Sequence, residues 1–418
     1  MRSDPSTAGA SRFRSPPAGL PATQALFDSY VESGRAPGVV AAVGLGGQPT
    51  HFISAGRAGY GPDEALVGPD TLWRIYSMTK PVTGMATMIL IEQGKIGLDQ
   101  PLYEIFPEFR SMRVAIEPEA SLESRPAARP ITIRHLLTHT AGLGYDFHLQ
   151  GALRDEYRRL GVLPYAFDAA SDADARKARP TSLQAFAARV AALPLVSDPG
   201  TEWRYSPALD VLGAVIERVS GVGFESFLQR HFFAPLGMTS TWFAAPRSEA
   251  ARLVTNYRFV DDKPEVADPA ANSLFLETPS FPYGGGGLVS SGRDYDRFLH
   301  MLQNGGELDG VRVMQRQTAQ LGMSNLLPAG VAFTGVGGDT GGAAAAPMGF
   351  GAGGSLVFAD PPGDRGAGAY GWGGAAGTIA SVDAAKDVRL TLMVNYMPPT
   401  QWPLRDELYA ALARDFAA

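Results

Sequence analysis

The chain contains no cysteine, which excludes disulfides, thiolate nucleophiles and cysteine-ligated metals and leaves the compartment open. It also lacks any block of like charge. Its 36 basic residues are scattered and the net charge is −6, so no surface that tracks a phosphate backbone, and no nucleic-acid partner, is expected. Long apolar runs are missing as well; the one at 85–91 is far too short to span a bilayer. Residues 1–21 are rich in Ser, Pro, Ala and Arg without the apolar stretch of an export signal. We read them as a flexible leader and expect a cytoplasmic protein with no membrane partner. Lysine is nearly absent too. Only Lys80, Lys95, Lys177, Lys263 and Lys386 occur, and every other cation is arginine, which does not give up its proton in proteins.

What is present can bury a large core: 418 residues, of which 45% are hydrophobic. That length favours two lobes, or one domain carrying an insertion. Apolar spacing predicts a helix over 22–32 closed by Gly34, then strands over 38–45 and 51–58 joined by Gly46, Gly47 and Pro49. A helix over 77–93 stops at Gly94. The stretch 98–280 reads as helical with long polar loops. Its clearest helix is 207–219, with Ser206 expected as N-cap and Pro207 at the first position. Beyond Tyr283 glycine becomes dense. A helix over 294–303 precedes a low-complexity loop at 335–346, strands over 355–359, 378–382 and 389–396, and a last helix over 404–416. The expected fold is an α/β sandwich, an antiparallel sheet flanked by helices. The sheet domain draws on 22–97 and 284–418, and 98–283 forms an inserted, mostly helical domain.

The chemistry centres on Ser77-Met78-Thr79-Lys80. Pro81 is tolerated only in the first turn of a helix, so the helix starts close to Ser77. Residues three apart share a helical face, which sets the Lys80 amine beside the Ser77 hydroxyl. The free N–H groups of that first turn favour an alkoxide. A weak nucleophile and a candidate base thus stand together. Lys80 alone of the five lysines has serine three residues before it.

The run Ile75-Tyr76-Ser77-Met78-Thr79-Lys80-Pro81-Val82-Thr83-Gly84 resembles the first motif of the class C β-lactamase-like superfamily. It is most similar to the family VIII carboxylesterases, and the resemblance spans nearly the whole chain from about residue 20. Ile133-Arg134-His135-Leu136-Leu137-Thr138-His139-Thr140-Ala141-Gly142-Leu143 is similar to the superfamily's Leu-Leu-x-His-Thr-Ser-Gly-Leu segment. Pro199-Gly200-Thr201-Glu202-Trp203-Arg204-Tyr205-Ser206 resembles the stretch with its catalytic tyrosine. The resemblance makes Tyr205 a partner of Lys80 in moving the Ser77 proton, since a phenol accepts a proton at neutral pH only beside a cation. Trp372-Gly373-Gly374 resembles the Trp-Gly-Gly that these esterases carry where β-lactamases have Lys-Thr-Gly. It implies an oxyanion hole from the backbone N–H groups of Ser77 and Ala375, with Trp372, Gly373 and Gly374 against the substrate. Tyr145 and Tyr283 are further candidates to line the cleft.

Two departures from the β-lactamase pattern steer the reading. Pro207 stands where the Asn of Tyr-x-Asn belongs, and no Lys-Thr-Gly occurs. Hydrolysis of short-chain acyl esters through a Ser77 acyl-enzyme is therefore expected, with no metal or organic cofactor and a small ester as partner. The alternatives are acyl transfer to an alcohol, a weak β-lactamase, and a penicillin-binding sensor. Other patterns are set aside. His135 and His139 lie four apart, but no glutamate follows His135 and no third metal ligand suggests itself. The Gly-rich runs 349–354 and 366–371 neither follow a strand nor open a helix. No serine has glycine two residues before and after it, so the α/β-hydrolase elbow is absent.

Overall fold

Gly38–Leu45 is an unbroken run of valine, alanine, glycine and leucine, and β-branched side chains suit a pleated, two-sided packing. In the computed structural model this strand, β1, is buried at every position. The structure describes residues 19–336, 347–359 and 366–417. Most of the expected leader and of the low-complexity loop at 335–346 lies outside them. Period-two alternation sends β1 side chains to opposite faces. Val39, Ala41 and Val43 meet the helices α1 (Pro21–Glu32) and, at the far end of the sequence, Leu404–Ala417, while Val40 joins the larger core on the other face.

β1 pairs antiparallel with β2 (His51–Gly56) on one side. After it come the helices α2 (Thr79–Glu92), α3 (Ala208–Ser220) and α4 (Gly292–Gln303). Five later strands follow: β3 (Met348–Phe350), β4 (Ser355–Val357), β5 (Tyr370–Gly373), β6 (Ile379–Asp383) and β7 (Val388–Met393), with α5 (Leu404–Ala417) last. The sheet order is β3-β4-β5-β6-β7-β1-β2, every neighbouring pair antiparallel. The β1–β2 hairpin therefore docks onto the last strand of a meander made more than 300 residues later. One continuous cluster then runs from Val40 and α4 through α2 to α3 and Phe224, so the sheet and the helices of the middle of the chain share a single core.

Several expectations change. Leu20 is buried and Pro21 opens α1, so the end of the expected leader belongs to the fold. The expected strand 51–58 ends at Gly56, whose φ of +80° turns the chain away. A hairpin, Asn256–Val260 with Lys263–Asp268, lies inside the stretch read as helical and pairs through Tyr257 and Arg258 with Tyr396–Met397. Its turn is Asp261-Asp262, both at positive φ, a conformation that Asp tolerates and tight hairpins need. Pro207 is the residue before α3 rather than its first, and Ser206 does not cap it.

Candidate active site

The chain leaves the short strand Leu72–Arg74, makes a single tight turn over Tyr76–Met78, and enters α2 at Thr79. Tyr76 sits at φ +40°, a rare conformation for an aromatic residue that is held here by tertiary contacts. Its ring is buried against Phe275 and Phe167, and its hydroxyl accepts from Asn256 Nδ2 at 3.3 Å. Ser77 follows, half-buried. α2 has no polar face: every residue from Thr79 to Leu90 is buried, so Lys80, 1% exposed, is held where only a partnered ammonium is tolerated.

Those partners are present. Lys80 Nζ donates to Ser77 Oγ at 3.0 Å and to the Gly285 carbonyl at 2.6 Å. It also lies 4.5 Å from the ring centre of Tyr205 and 5.4 Å from that of Tyr145. Tyr205, brought in from 128 residues away, donates its hydroxyl proton to Ser77 Oγ at 2.7 Å. Trp372 Nε1 in turn donates to the Tyr205 oxygen at 3.3 Å. The structure thus gathers Ser77, Lys80, Tyr205, Trp372 and Tyr145 in one place.

Their surroundings are apolar. Tyr145, Trp203, Tyr205 and Phe350 form one cluster, against which Leu327, Val331, Phe333 and Trp372 pack. Beyond it, Phe147 stacks on Tyr145 at 4.9 Å and is 52% exposed. Two surface hollows, about 240 Å³ beside Asp70 and about 610 Å³ beside Asp387, contain none of these residues. Gly373 ends β5, and Gly374 lets the following turn close on the serine. A Cβ at Gly374 would stand 2.4 Å from the Ile75 carbonyl oxygen. Ala375 occupies that turn, partly buried.

Tyr283 is a correction. It is 1% exposed, stacks on Phe281 at 4.1 Å, and meets Tyr165 and the Arg179 guanidinium. It supports the core behind the site and does not line the cleft. The two histidines part company. Thr132 caps the helix Ile133–Leu137 and His135 completes the capping box, its Nδ1 accepting from Thr132 N–H at 3.1 Å; burial lowers the His135 pKa to about 4. His139, at φ +56°, is fully buried beneath Tyr205 with Nδ1 3.0 Å from Ser206 Oγ. Burial first, then the Lys80 charge, keeps it neutral. The Ser206 hydroxyl is therefore committed to His139 rather than to α3.

Sequence reasoning missed two residues at the centre. Asp210, on the first turn of α3, accepts from Gly285 N–H at 2.8 Å. The same Gly285 offers its carbonyl to Lys80. A side chain does not fit at Gly285: a Cβ would stand 2.7 Å from Asp210 Oδ2 and 2.9 Å from the Tyr145 hydroxyl. Burial raises the Asp210 pKa to about 6, against the pull of the Gly285 N–H and Lys80. It also raises that of Tyr145, with Asp210 adding to the rise. The available signal was a lone carboxylate in the apolar run Ala208-Leu209-Asp210-Val211-Leu212.

A serine hydroxyl held by a lysine nitrogen and a tyrosine oxygen is equipped for nucleophilic attack once one of those two groups has given up a proton and can take that of the serine. The beta-lactamase family model matches residues 23–414. The chain belongs to that family. Within the beta-lactamase family it is similar to Esterase EstB of Burkholderia gladioli, at 32% identity over 92% of this chain and 94% of that protein. The Monacolin J acid methylbutanoyltransferase of Aspergillus terreus is 31% identical over 71% of this chain and 69% of its own length. Among solved structures, EstCE1, described as a hydrolase with promiscuous acyltransferase activity, superposes with a TM-score of 0.75 at 25% identity. That match covers 94% of this chain and 97% of EstCE1. The chain has the β-lactamase fold. Among the described residues, no helix is long and apolar enough to cross a membrane.

Proposed function

We propose that the chain hydrolyses short-chain acyl esters through an acyl-enzyme on Ser77. The observation that carries this is the pair of hydrogen bonds into Ser77 Oγ, 3.0 Å from Lys80 Nζ and 2.7 Å from the Tyr205 hydroxyl. The reactive form is one proton short, with Tyr205 as a phenolate beside the Lys80 ammonium; Ser77 Oγ then attacks the ester carbonyl carbon while its proton passes to the Tyr205 oxygen. The carbon–oxygen bond to the alcohol breaks, and Tyr205 returns the proton to the leaving oxygen. Water then attacks the acyl carbon, gives its proton to the Tyr205 oxygen, and the acid leaves as Ser77 regains its hydrogen.

The Ser77 and Ala375 N–H groups form the oxyanion hole in this reading. Ser77 lies in the first turn of a helical segment, where N–H groups have no intrahelical acceptor, and the glycine contact at Ile75 draws the Ala375 turn toward it. One such donor is worth about 2.7–4 kcal/mol in the transition state. Trp372, Gly374 and Tyr145 bound the space for acyl and alcohol groups. A cytoplasmic setting belongs to the same proposal, with cell fractionation as its check.

A second reading, transfer of the acyl group to an alcohol, draws support from the ring-lined surroundings of Ser77, which hold water off the ester, and from the transferase relative. Counting free acid against new ester when water and an added alcohol compete separates the two. A β-lactam reading lacks its binding groups, since Pro207 replaces the expected amide and no Lys-Thr-Gly exists. The primary test is covalent labelling. An organophosphonate modifies the peptide containing Ser77, and Ser77→Ala loses both the label and turnover of a p-nitrophenyl ester. Labelling at another serine would overturn the proposal.

A further inference from the structure

Asp210 is 2% exposed between Leu209 and Val211, and a carboxylate that deep is rarely kept without a partner. No arginine pairs with it among the described residues; the cation that acts on it is Lys80. The link between them runs through one residue. Asp210 Oδ1 takes the Gly285 N–H at 2.8 Å, and the Gly285 carbonyl takes Lys80 Nζ at 2.6 Å. The neighbouring backbone is fixed as well: Thr83 Oγ1 donates to the Gly284 carbonyl at 2.7 Å, and Leu288 N–H donates to Thr79 Oγ1 at 3.1 Å. The remaining groups that face the carboxylate are the hydroxyls of Tyr145 and Tyr283.

We propose that Asp210 is a positioning residue of the hydrolysis. It pins Gly285, so that the Gly285 carbonyl anchors the Lys80 ammonium, and its carboxylate is the buried counter-charge of that ammonium. The inference rests on the acyl-enzyme reading given above. An ammonium has three donors that rotate freely about the last bond of its stem. Anchoring one on Gly285 leaves another directed at Ser77 Oγ, and the geometry of the nucleophile is inherited from α3. Burial places the Asp210 carboxyl near the middle of the acid range, so loss of its charge is visible in the pH dependence of turnover.

Asp210→Asn keeps the shape and an oxygen for the Gly285 N–H while removing the charge. With a p-nitrophenyl ester, kcat should fall about 100-fold with KM within about twofold, the pattern of a misplaced reacting group. The wild-type fall in kcat below about pH 6 should disappear from the variant's profile. A folded Asp210→Asn enzyme whose kcat stays within about twofold, with the same acid limb, overturns the inference. Where the variant does not fold, the wild type decides: a one-proton limb in kcat between pH 5 and 7 supports the inference, and a flat profile overturns it. Phosphonate labelling of the wild type is run alongside. Failure to label Ser77 sinks the esterase reading and this inference with it, whereas a labelled wild type with an indifferent Asp210→Asn sinks the inference alone.

Discussion

Removing the phenol oxygen of Tyr205 takes away one of the two hydrogen bonds into Ser77 Oγ and leaves the ring packed against His139, Tyr145 and Trp372. Tyr205→Phe should therefore lower kcat by about 10²–10⁴, the usual worth of a positioned proton-transfer group. KM and the melting temperature should barely move; steady-state kinetics beside a thermal melt check both. At this scale the meeting of Ser77, Lys80 and Tyr205 was legible because their spacing is local or motif-bound. Asp210 and Gly285 were not. Their contact joins a carboxylate to a backbone N–H 75 residues away, and a backbone donor leaves no mark on residue type. Tyr283 was misjudged for the converse reason: aromatic residues that line a cleft and those that fill the core behind it have the same composition.

Elements made of branched side chains were read almost to the residue, β1 above all, because burial on both faces leaves an unbroken apolar run. β3 and β5 went unread because Met348-Gly349-Phe350 and Tyr370-Gly371-Trp372-Gly373 carry glycine where a strand usually carries bulk. In β5 the glycine serves close approach: a Cβ at Gly371 would stand 2.0 Å from the Ala380 carbonyl oxygen on β6. The same logic reverses a familiar rule on α2. Alanine is worth up to about 1 kcal/mol over glycine inside a helix, yet a Cβ at Gly84 would stand 2.1 Å from the Ala352 carbonyl oxygen. Gly84→Ala should destabilise by about 1–3 kcal/mol through overpacking, read as a lower urea midpoint. It should also reduce turnover, because Gly353, next to Ala352, lies against the Lys80 carbonyl. A midpoint at or above wild type would show that this segment yields freely.

Over the whole molecule, burial lowers the pKa of five of the six histidines: His135, His139, His148, His231 and His300. The unfolded chain takes up these protons near pH 6.5, while the folded chain refuses them until lower pH. Their contribution is present in full above about pH 6.5 and drains away as pH falls. For His135, shifted to about 4, the loss is on the order of 3 kcal/mol between those limits. The Asp70, Asp99 and Asp198 carboxylates, lowered by hydrogen bonds from Arg293, Arg134 and Arg125, act in the same direction. Asp210 and Asp294, raised by burial, oppose it. Urea midpoints should drop between pH 7.5 and 4.5, and His135→Gln should flatten the curve; a midpoint that does not vary with pH would contradict this. The overall architecture was legible because strands and helices cluster at both ends of the sequence. The strand pairing of the middle of the chain with Tyr396–Met397 was not, since it is made by a hairpin whose turn is two aspartates.

Asp415, on α5, accepts from the backbone of Ala22 and Thr23 and from the Thr23 hydroxyl, fastening the start of α1 across 392 residues. During synthesis, therefore, the first helix emerges with only the β1–β2 hairpin to pack on, its partner α5 still to come. The β1–β2 hairpin waits likewise for β7. A nascent chain already carries Ser77, Lys80 and Tyr205, but the scaffold behind them closes only once β7 and α5 have been made.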